Sequence, residues 1–258
     1  MNNDDIINMI STFQVPSIPA YANTSEFLMG NLNDCSFTGD DSFDLYQSNL
    51  KSLPIDWHYR SKTISYQANS NGYRAPEWDS VDWSNSVVMF GCSETLGIGL
   101  SLDETISSQL SNMLSKPVIN MGVGGSSMLF ALHNNILLLN NFTTPWAVVN
   151  NWSSSDRIHS YNYNHIDHYT PWGNLNNLLL NWNEGPNAQV QAMFISKLAK
   201  GIWKDRCRYY ECSVFPHTAK SLSCKFFRHE DYARDLLHIG KDTAFVIAND
   251  IKRSFFSS

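Results

Sequence analysis

Two short segments of this sequence carry residue types and spacings that could do chemistry. Ser93 lies in the glycine-framed segment Gly91–Gly97, directly after the apolar run Val87–Phe90. A buried strand that runs straight into a tight turn presents a nucleophile at the edge of a sheet. Far downstream, Asp235 precedes His238 by three positions. Together these side chains could supply a nucleophile, a base that activates it and a carboxylate that orients the base, as in a serine esterase.

An alternation of strands and helices begins at Ser86 and predicts the sheet that would hold these groups. Apolar runs without polar alternation are typical of strands that are buried on both faces, whereas apolar stripes at helical spacing indicate helices. The order strand, helix, strand, helix, strand predicts a parallel sheet, which binds ligands at the carboxyl ends of its strands. The predicted strands are Val87–Phe90, Pro117–Asn120, Trp146–Val149 and Tyr209–Phe215, and the predicted helices are about Asp103–Leu114, Met128–Leu139, Ala188–Trp203 and Asp242–Lys252.

Two regions of the chain do not follow this alternation. Residues 1–85 are rich in Pro, Asn, Ser and Asp, and we predict an irregular N-terminal extension that packs on the core, with a short amphipathic helix at Asp5–Phe13. Residues 156–186 are rich in Asn, His, Tyr and Trp, which indicates a loop-rich insertion with a short helix near Leu175–Trp182. The predicted division is therefore an extension over 1–85 and a catalytic domain over 86–258.

Composition excludes several other classes of protein. The chain has 258 residues and a net charge of −6, with no block of Lys or Arg, which argues against binding to nucleic acid. No apolar run approaches the roughly 18–20 residues that a membrane span needs. The acidic start of the sequence is unlike a secretory signal, so we expect a cytoplasmic protein. Five cysteines without regular spacing do not predict disulfides, and the oligomeric state stays open.

Neither a metal site nor a phosphate site is predicted. The glycines at 122, 124 and 125 lack both a GxGxxG pattern and a lysine, so they do not indicate a phosphate loop. Loop histidines among Tyr and Asn are more often exposed than metal ligands, and the cysteine spacing fits no zinc pattern. We therefore expect no metal and no cofactor. The histidines and acids considered as a metal cluster are His159, His165, His168, Asp156 and Asp167.

Three blocks of the sequence resemble the SGNH (GDSL-type) hydrolase family. Gly91–Gly97 is similar to the first block, Gly-Asp-Ser-x-Thr-x-Gly, except that Cys92 stands in place of Asp. Asn120–Ser126 resembles the second block, and Asp235–His238 with the helix after it resembles the last. The resemblance extends from about residue 71 to 249. It implies a three-layer α/β/α sandwich with a parallel, flavodoxin-like sheet.

The resemblance also implies a role for each of these residues. Ser93 would be the nucleophile, and its own backbone N–H would help to hold the oxyanion. Gly125 would give a second N–H, because a missing Cβ lets the backbone approach the substrate. His238 would be the general base, and Asp235 would fix its tautomer.

The family's third block, Gly-x-Asn-Asp, has no direct counterpart in this chain. Continuing the third strand in register places Trp152–Ser155 there, so Ser154 falls where the oxyanion-binding Asn is expected. A serine hydroxyl can donate, but it is shorter and rotates freely. After a small shift of register, Asn151 or Asn150 could take this place. Arg157 could hold either the oxyanion or an acidic substrate.

The leading hypothesis is a serine ester hydrolase that works through an acyl-enzyme intermediate. The polar and aromatic insertion favours an O-acetylated carbohydrate among small-molecule or glycan esters, with Trp152, Trp172 and Trp182 stacking on sugar rings or packing as a lid. Acyl transfer to another acceptor would use the same residues. The alternative is a binding or structural module with impaired catalysis, which the missing Asn and the presence of Cys92 suggest.

Overall fold

A five-stranded parallel sheet lies at the centre of the computed structural model, which describes residues 35–161, 166–169 and 186–256. Its strands lie in the order β2 (Val118–Gly122), β1 (Val87–Gly91), β3 (Ala147–Asn151), β6 (Arg208–Ser213) and β7 (Lys225–Phe226). The chain runs outward from β1 to β2 and then crosses back to β3, so the winding reverses between β1 and β3. Ligands of such sheets bind at this reversal, beyond the carboxyl ends of the strands.

Helices cover both faces of the sheet because its central strands are apolar on both sides. In β1, Val88 and Phe90 belong to one buried cluster, whereas Val87 and Met89 belong to the other. Helices α4 (Met128–Asn141) and α5 (Pro186–Trp203) pack together on one face, and α3 (Ile106–Leu114) and α7 (Lys241–Phe256) pack on the other. This arrangement confirms the predicted three-layer α/β/α sandwich. The shorter helices are α1 (Phe43–Ser52), α2 (Ser93–Leu96) and α6 (Pro216–Leu222).

Two elements differ from their predicted form. The helix expected from Asp103 begins at Ile106, because Thr105 is extended and caps α3 by accepting a hydrogen bond from Ser108 N at 3.2 Å. A 3₁₀ turn at Leu102–Glu104 precedes it. The strand that the sequence pattern did not locate is β7, which has only 2 residues and pairs with Cys212 and Ser213 of β6.

The part of residues 1–85 that the structure describes packs against the sheet layers. Tyr59, Ile64 and Tyr66 are fully buried in the cluster that contains Val87 and Met89. The boundary near residue 85 stays a prediction, and the helix predicted at Asp5–Phe13 lies outside the described residues.

Only part of the predicted insertion at 156–186 belongs to the described residues. Strands β4 (Ile158–Tyr161) and β5 (Ile166–Tyr169) pair as a separate antiparallel hairpin. The helix predicted near Leu175–Trp182 lies outside the described ranges. Within those ranges, no helix combines the length and apolar character that crossing a membrane requires.

Candidate active site

Ser93 lies where β1 ends and the chain turns into α2. It is the first residue of this four-residue helix, and 7% of it is exposed. A side chain at Gly91 would place its Cβ 2.1 Å from Thr95 Oγ1 and 2.6 Å from Asn151 O. Gly97 ends α2 in the left-handed region, with φ of +81°. The glycine frame is therefore a steric requirement of the turn at residues 91–97, which we call the Ser93 turn.

The end of β2 supports the Ser93 turn from one side. Asn120 Nδ2 donates to Thr95 O at 2.8 Å, and Asn120 Oδ1 accepts from Gly122 N at 2.9 Å. A Cβ at Gly122 would lie 2.3 Å from Leu96 N, so only glycine lets the two backbones meet. The second sequence block thus has a structural role in addition to the glycine it contributes at position 125.

Arg74 supports the same turn from the other side. Its guanidinium donates from Nη1 to Gly97 O at 2.9 Å and from Nη2 to Leu100 O and Ser65 O, each at 3.0 Å. The side chain is buried. Residues 71–74 have the composition of a turn (Asn-Gly-Tyr-Arg), and sequence reasoning assigned Arg74 no role in the site. A lone arginine in such a turn was the available signal.

Asp235 and His238 form a buried hydrogen-bonded pair. Asp235 Oδ2 lies 2.5 Å from His238 Nδ1, and Oδ1 accepts from the backbone N–H groups of Leu237 and His238 at 3.0 and 3.1 Å. Burial acts to raise the pKa of Asp235, but these hydrogen bonds and the charge of His238 outweigh it and lower the pKa below its ordinary value. The ionised carboxylate therefore accepts the Nδ1 proton, which leaves Nε2 as the basic nitrogen.

The pKa of His238 is raised above its ordinary value. Burial disfavours the charged ring, but the hydrogen bond to Asp235 and the negative charges of Glu94, Asp235 and Asp40 outweigh that effect. A general base whose pKa lies near the working pH is well matched to proton transfer.

Contacts between flanking residues bring this pair to the Ser93 turn. Glu94 Oε2 accepts from Ile239 N at 2.9 Å, which joins the residue after Ser93 to the residue after His238. Arg234 N donates to Gly99 O at 3.1 Å, and a Cβ at Gly99 would lie 2.7 Å from Ala233 Cβ. Among the residues that the structure describes, Ser93 Oγ makes no direct hydrogen bond to His238. Catalytic hydrogen bonds are often long before substrate binds and tighten with it.

Glu94 is a residue of the candidate site that sequence reasoning missed. Its side chain is buried, and Oε1 lies 3.9 Å from His229 Nε2 while Oε2 binds Ile239 N. Its charge is one of the causes that raise the pKa of His238. Its position directly after Ser93 was the only signal in the sequence.

The segment ahead of the sheet holds Asp235 through its neighbour Arg234. Asp41 accepts from Arg234 Nε at 2.9 Å and from Nη2 at 2.7 Å, and both side chains are almost fully buried. Tyr66 donates its hydroxyl hydrogen to Asp41 at 2.6 Å and accepts from Gly99 N at 2.7 Å. Asn49 of α1 donates to Arg234 O at 3.0 Å. Residues 41–66 are therefore part of the support for the Asp235–His238 pair.

Two backbone N–H groups remain available near Ser93. Among the described residues, no acceptor is found for the N–H of Ser93 or of Gly125. Gly125 has φ of +68°, which favours glycine, and it is partly exposed. Ser126 Oγ donates to Gly91 O at 3.2 Å, which ties the segment after β2 to the end of β1.

The residues after β3 differ in how their polar groups are used. Ser154 Oγ donates to Asp156 Oδ1, and Asn151 Nδ2 donates to Thr95 Oγ1 at 3.1 Å. Ser153 Oγ is buried and has no hydrogen-bond partner among the described residues. Since Asn151 pairs with Gly91, Ser153 and Ser93 each follow these paired residues by two positions. Sequence reasoning reached Ser154 by continuing the third strand alone and did not use this pairing of β3 with β1.

Trp152 lies in the core instead of facing a ligand. It is 1% exposed, and its Nε1 donates to Glu211 Oε2 at 3.2 Å. This burial corrects the interpretation of Trp152 as a substrate-binding residue, because no ring face is left for a sugar. Trp172 and Trp182 lie outside the described residues.

Arg157, the other predicted substrate-binding residue, carries a guanidinium that is largely unused. Its Nε and Nη1 atoms are buried without a hydrogen-bond partner among the described residues. The guanidinium lies over the ring of Phe215, 5.3 Å from the centroid.

Metal ligands are not grouped in the part of the chain that is described. No cluster of three His, Cys, Asp or Glu residues placed to hold a metal ion occurs there, and His165 falls outside it. The predicted absence of metal and cofactor stays a prediction. Cys92 is buried, and burial raises the pKa of its thiol, which suits a small core residue better than a nucleophile.

Solved structures that resemble this one include esterases and lipases of the SGNH and GDSL type. A carbohydrate esterase family 2 enzyme with a carbohydrate-binding domain from Myceliophthora fergusii is 14% identical, with 67% of each chain covered and a TM-score of 0.42. A GDSL-like lipase from Bacteroides thetaiotaomicron is 13% identical, with 85% of this chain and 99% of that chain covered and a TM-score of 0.40. The SGNH-hydrolase family esterase AlinE4 is 14% identical, with 69% and 98% covered and a TM-score of 0.31.

No protein-family model matches the chain, and no curated protein matches its sequence. At these identities and TM-scores, the likenesses carry no argument about activity.

Proposed function

We propose that this protein is a serine ester hydrolase with Ser93 as nucleophile, His238 as general base and Asp235 as the residue that orients the base. The observation that carries this proposal is the buried 2.5 Å hydrogen bond between Asp235 and His238, held against the Ser93 turn. A serine hydroxyl is a poor nucleophile until a positioned imidazole takes its proton. The contact between Glu94 and Ile239 supports the proposal, because it links the segments that carry the two groups.

In the first half of the proposed reaction, His238 Nε2 takes the proton of Ser93 Oγ as the oxygen attacks the acyl carbonyl carbon. The carbonyl oxygen becomes the oxyanion of a tetrahedral intermediate. Asp235 stabilises the imidazolium that forms and is not itself protonated. When the intermediate collapses, the bond to the alcohol oxygen breaks, and His238 gives its proton to the departing alcohol. An ester between Ser93 and the acyl group remains.

In the second half, a water molecule replaces the alcohol. His238 Nε2 takes a proton from the water as its oxygen attacks the carbonyl carbon of the acyl-enzyme. Collapse of the second tetrahedral intermediate breaks the bond to Ser93 Oγ, which recovers its proton from His238. The acid is released, and the enzyme returns to its starting state.

The backbone N–H groups of Ser93 and Gly125 are the proposed oxyanion donors, since neither has another acceptor among the described residues. We propose that a third donor comes from the serines after β3. Ser154 was predicted by continuing the third strand in register, but its hydroxyl donates to Asp156, whereas the buried Ser153 hydroxyl has no partner among the described residues. Asn151, the fallback, is less suited because its amide donates to Thr95.

Two serine variants separate these candidates for the third donor. Removal of one oxyanion donor typically lowers kcat by ~10²–10³. Ser153→Ala and Ser154→Ala should therefore differ strongly in kcat, with the larger loss marking the donor. If both variants are as active as the wild type, neither serine is the third oxyanion donor.

The proposed substrate class is a small-molecule or glycan ester, with an O-acetylated carbohydrate as the leading member. The support is compositional, since neutral polar and aromatic residues are concentrated at 156–186. A panel of acetylated sugars against short-chain and long-chain acyl esters tests this class. Faster hydrolysis of long-chain esters than of every acetylated sugar would contradict it.

The experiment that tests the proposed function is hydrolysis of p-nitrophenyl acetate. We expect turnover by the wild type and its loss in Ser93→Ala, while Ser84→Ala, which alters an exposed serine, should keep the wild-type rate. A Ser93→Ala protein that is folded and as active as the wild type would overturn the proposal.

A further inference from the structure

A partly buried arginine, Arg157, follows β3 at the carboxyl edge of the sheet and has no counter-ion among the described residues. Arg157 Nε and Nη1 are both buried, and neither has a hydrogen-bond acceptor among the described residues. Buried charges in proteins are normally paired, because an ion removed from water without compensation costs several kcal/mol. Ring stacking on Phe215 at 5.3 Å offsets only part of such a cost. The described residues therefore supply no partner for these two N–H groups of Arg157.

The backbone fixes Arg157 at the same edge of the sheet as Ser93. Arg157 N donates to Ser154 O at 3.3 Å, which closes a turn, and Ser155 N donates to Thr218 Oγ1 of α6 at 2.9 Å. This turn follows β3, and Ser93 follows the adjacent strand β1. The positive charge of Arg157 is also one of the influences on the thiol of Cys92, the residue before Ser93.

We propose that Arg157 binds a carboxylate of the substrate, so that the ester hydrolysed at Ser93 is an acidic one; this inference rests on the proposed function. A guanidinium fits a carboxylate better than any other common anion of small metabolites and glycans except phosphate. The chain has a net charge of −6, so an acidic substrate needs a local cation to approach the site.

The oxyanion is a weaker assignment for Arg157 than a substrate carboxylate. The unpaired N–H groups of Ser93 and Gly125 already provide donors for an oxyanion. An oxyanion also exists only during the reaction, whereas the two buried N–H groups of Arg157 need compensation whenever substrate is bound. A carboxylate on the substrate provides that compensation from the moment of binding.

Two matched pairs of esters test the inference and locate the carboxylate. A preference for 4-acetoxybenzoate over phenyl acetate would place the carboxylate on the alcohol side of the ester. A preference for monophenyl succinate over phenyl butyrate would place it on the acyl side. After subtraction of spontaneous hydrolysis, we expect the wild type to favour the acidic member of one pair by ~10–100-fold in kcat/KM, the worth of a charged hydrogen bond. Arg157→Gln should lose that preference, because its kcat/KM should fall further on the acidic member of the pair than on the neutral one.

The control is Arg228→Gln, which makes the same charge change at an exposed position and should keep the wild-type preference. Equal rates on both members of both pairs in the wild type would overturn the inference and leave the proposed function intact. An equal loss on neutral and acidic esters in Arg157→Gln would overturn it in favour of an oxyanion role.

Failure to hydrolyse any ester would contradict the proposed function alone. A binding measurement still decides the inference about Arg157 in that case. Calorimetry should detect succinate or 4-hydroxybenzoate binding to the wild type and to Arg228→Gln. Arg157→Gln should bind the same carboxylate at least ~10-fold more weakly. Equal affinity of the wild type and Arg157→Gln, or no binding to either, would contradict a carboxylate site at Arg157.

Discussion

Replacement of Asp41 by Asn should destabilise the fold, although Asp41 precedes the sheet and lies far from Ser93 in sequence. Asp41 is 1% exposed and binds the buried guanidinium of Arg234 at 2.9 and 2.7 Å. Removal of one partner from a buried ion pair costs about 3–5 kcal/mol, because the other charge is left uncompensated. Asn keeps one oxygen that can accept from Tyr66 or Arg234, so we expect about 3 kcal/mol, the lower end of that range.

Urea denaturation followed by tryptophan fluorescence measures this change in the free energy of unfolding. For a chain of this size, ~3 kcal/mol corresponds to a fall in Tm of roughly 6–12 °C. Asp40→Asn is the matched control, since its side chain is exposed and the substitution should change stability by no more than ~0.5 kcal/mol. An Asp41→Asn protein within ~1 kcal/mol of the wild type would refute the reasoning.

Three further predictions concern the site itself. The value of kcat/KM should rise with pH through the raised pKa of His238, because only the neutral ring is a base. Asp235→Asn should shift this rise to lower pH and reduce kcat by about 10⁴, and an unchanged pH dependence would contradict the pairing of Asp235 with His238. Gly122→Ala should reduce both stability and kcat, since its Cβ would lie 2.3 Å from Leu96 N. Gly201→Ala is the tolerated control, because its Cβ would meet no described atom within 4 Å beyond the neighbouring backbone of its own helix. Arg157→Met should raise the free energy of unfolding by about 1 kcal/mol or more in the absence of ligand, because it removes two buried N–H groups that have no acceptor among the described residues; a lower Tm than that of the wild type in thermal unfolding would contradict this reasoning.

Local patterns predicted the parts of the site that neighbouring residues determine. The apolar run Val87–Phe90 is typical of a strand buried on both faces, and the glycines after it allow the chain to turn. Likewise, the spacing of Asp235 and His238 lets one carboxylate meet both a backbone N–H and the ring of the same histidine.

Contacts between distant parts of the chain could not be predicted in this way. Asp41 and Arg234 are 193 residues apart, and no periodicity links them. The burial of Trp152 depends on Glu211 of β6, which accepts its indole N–H. An aromatic residue after a strand has the same appearance in a sequence whether it faces a core or a ligand.

Covalent labelling of Ser93 tests the central claim most directly. A fluorophosphonate probe should react with the wild-type protein, and peptide mass spectrometry should place one adduct on Ser93, because only an activated serine attacks the phosphorus. Ser93→Ala should show no adduct, and Asp235→Asn should label much more slowly. A folded wild-type protein that takes up no probe, or that carries it on another residue, would contradict the assignment of Ser93 as the nucleophile.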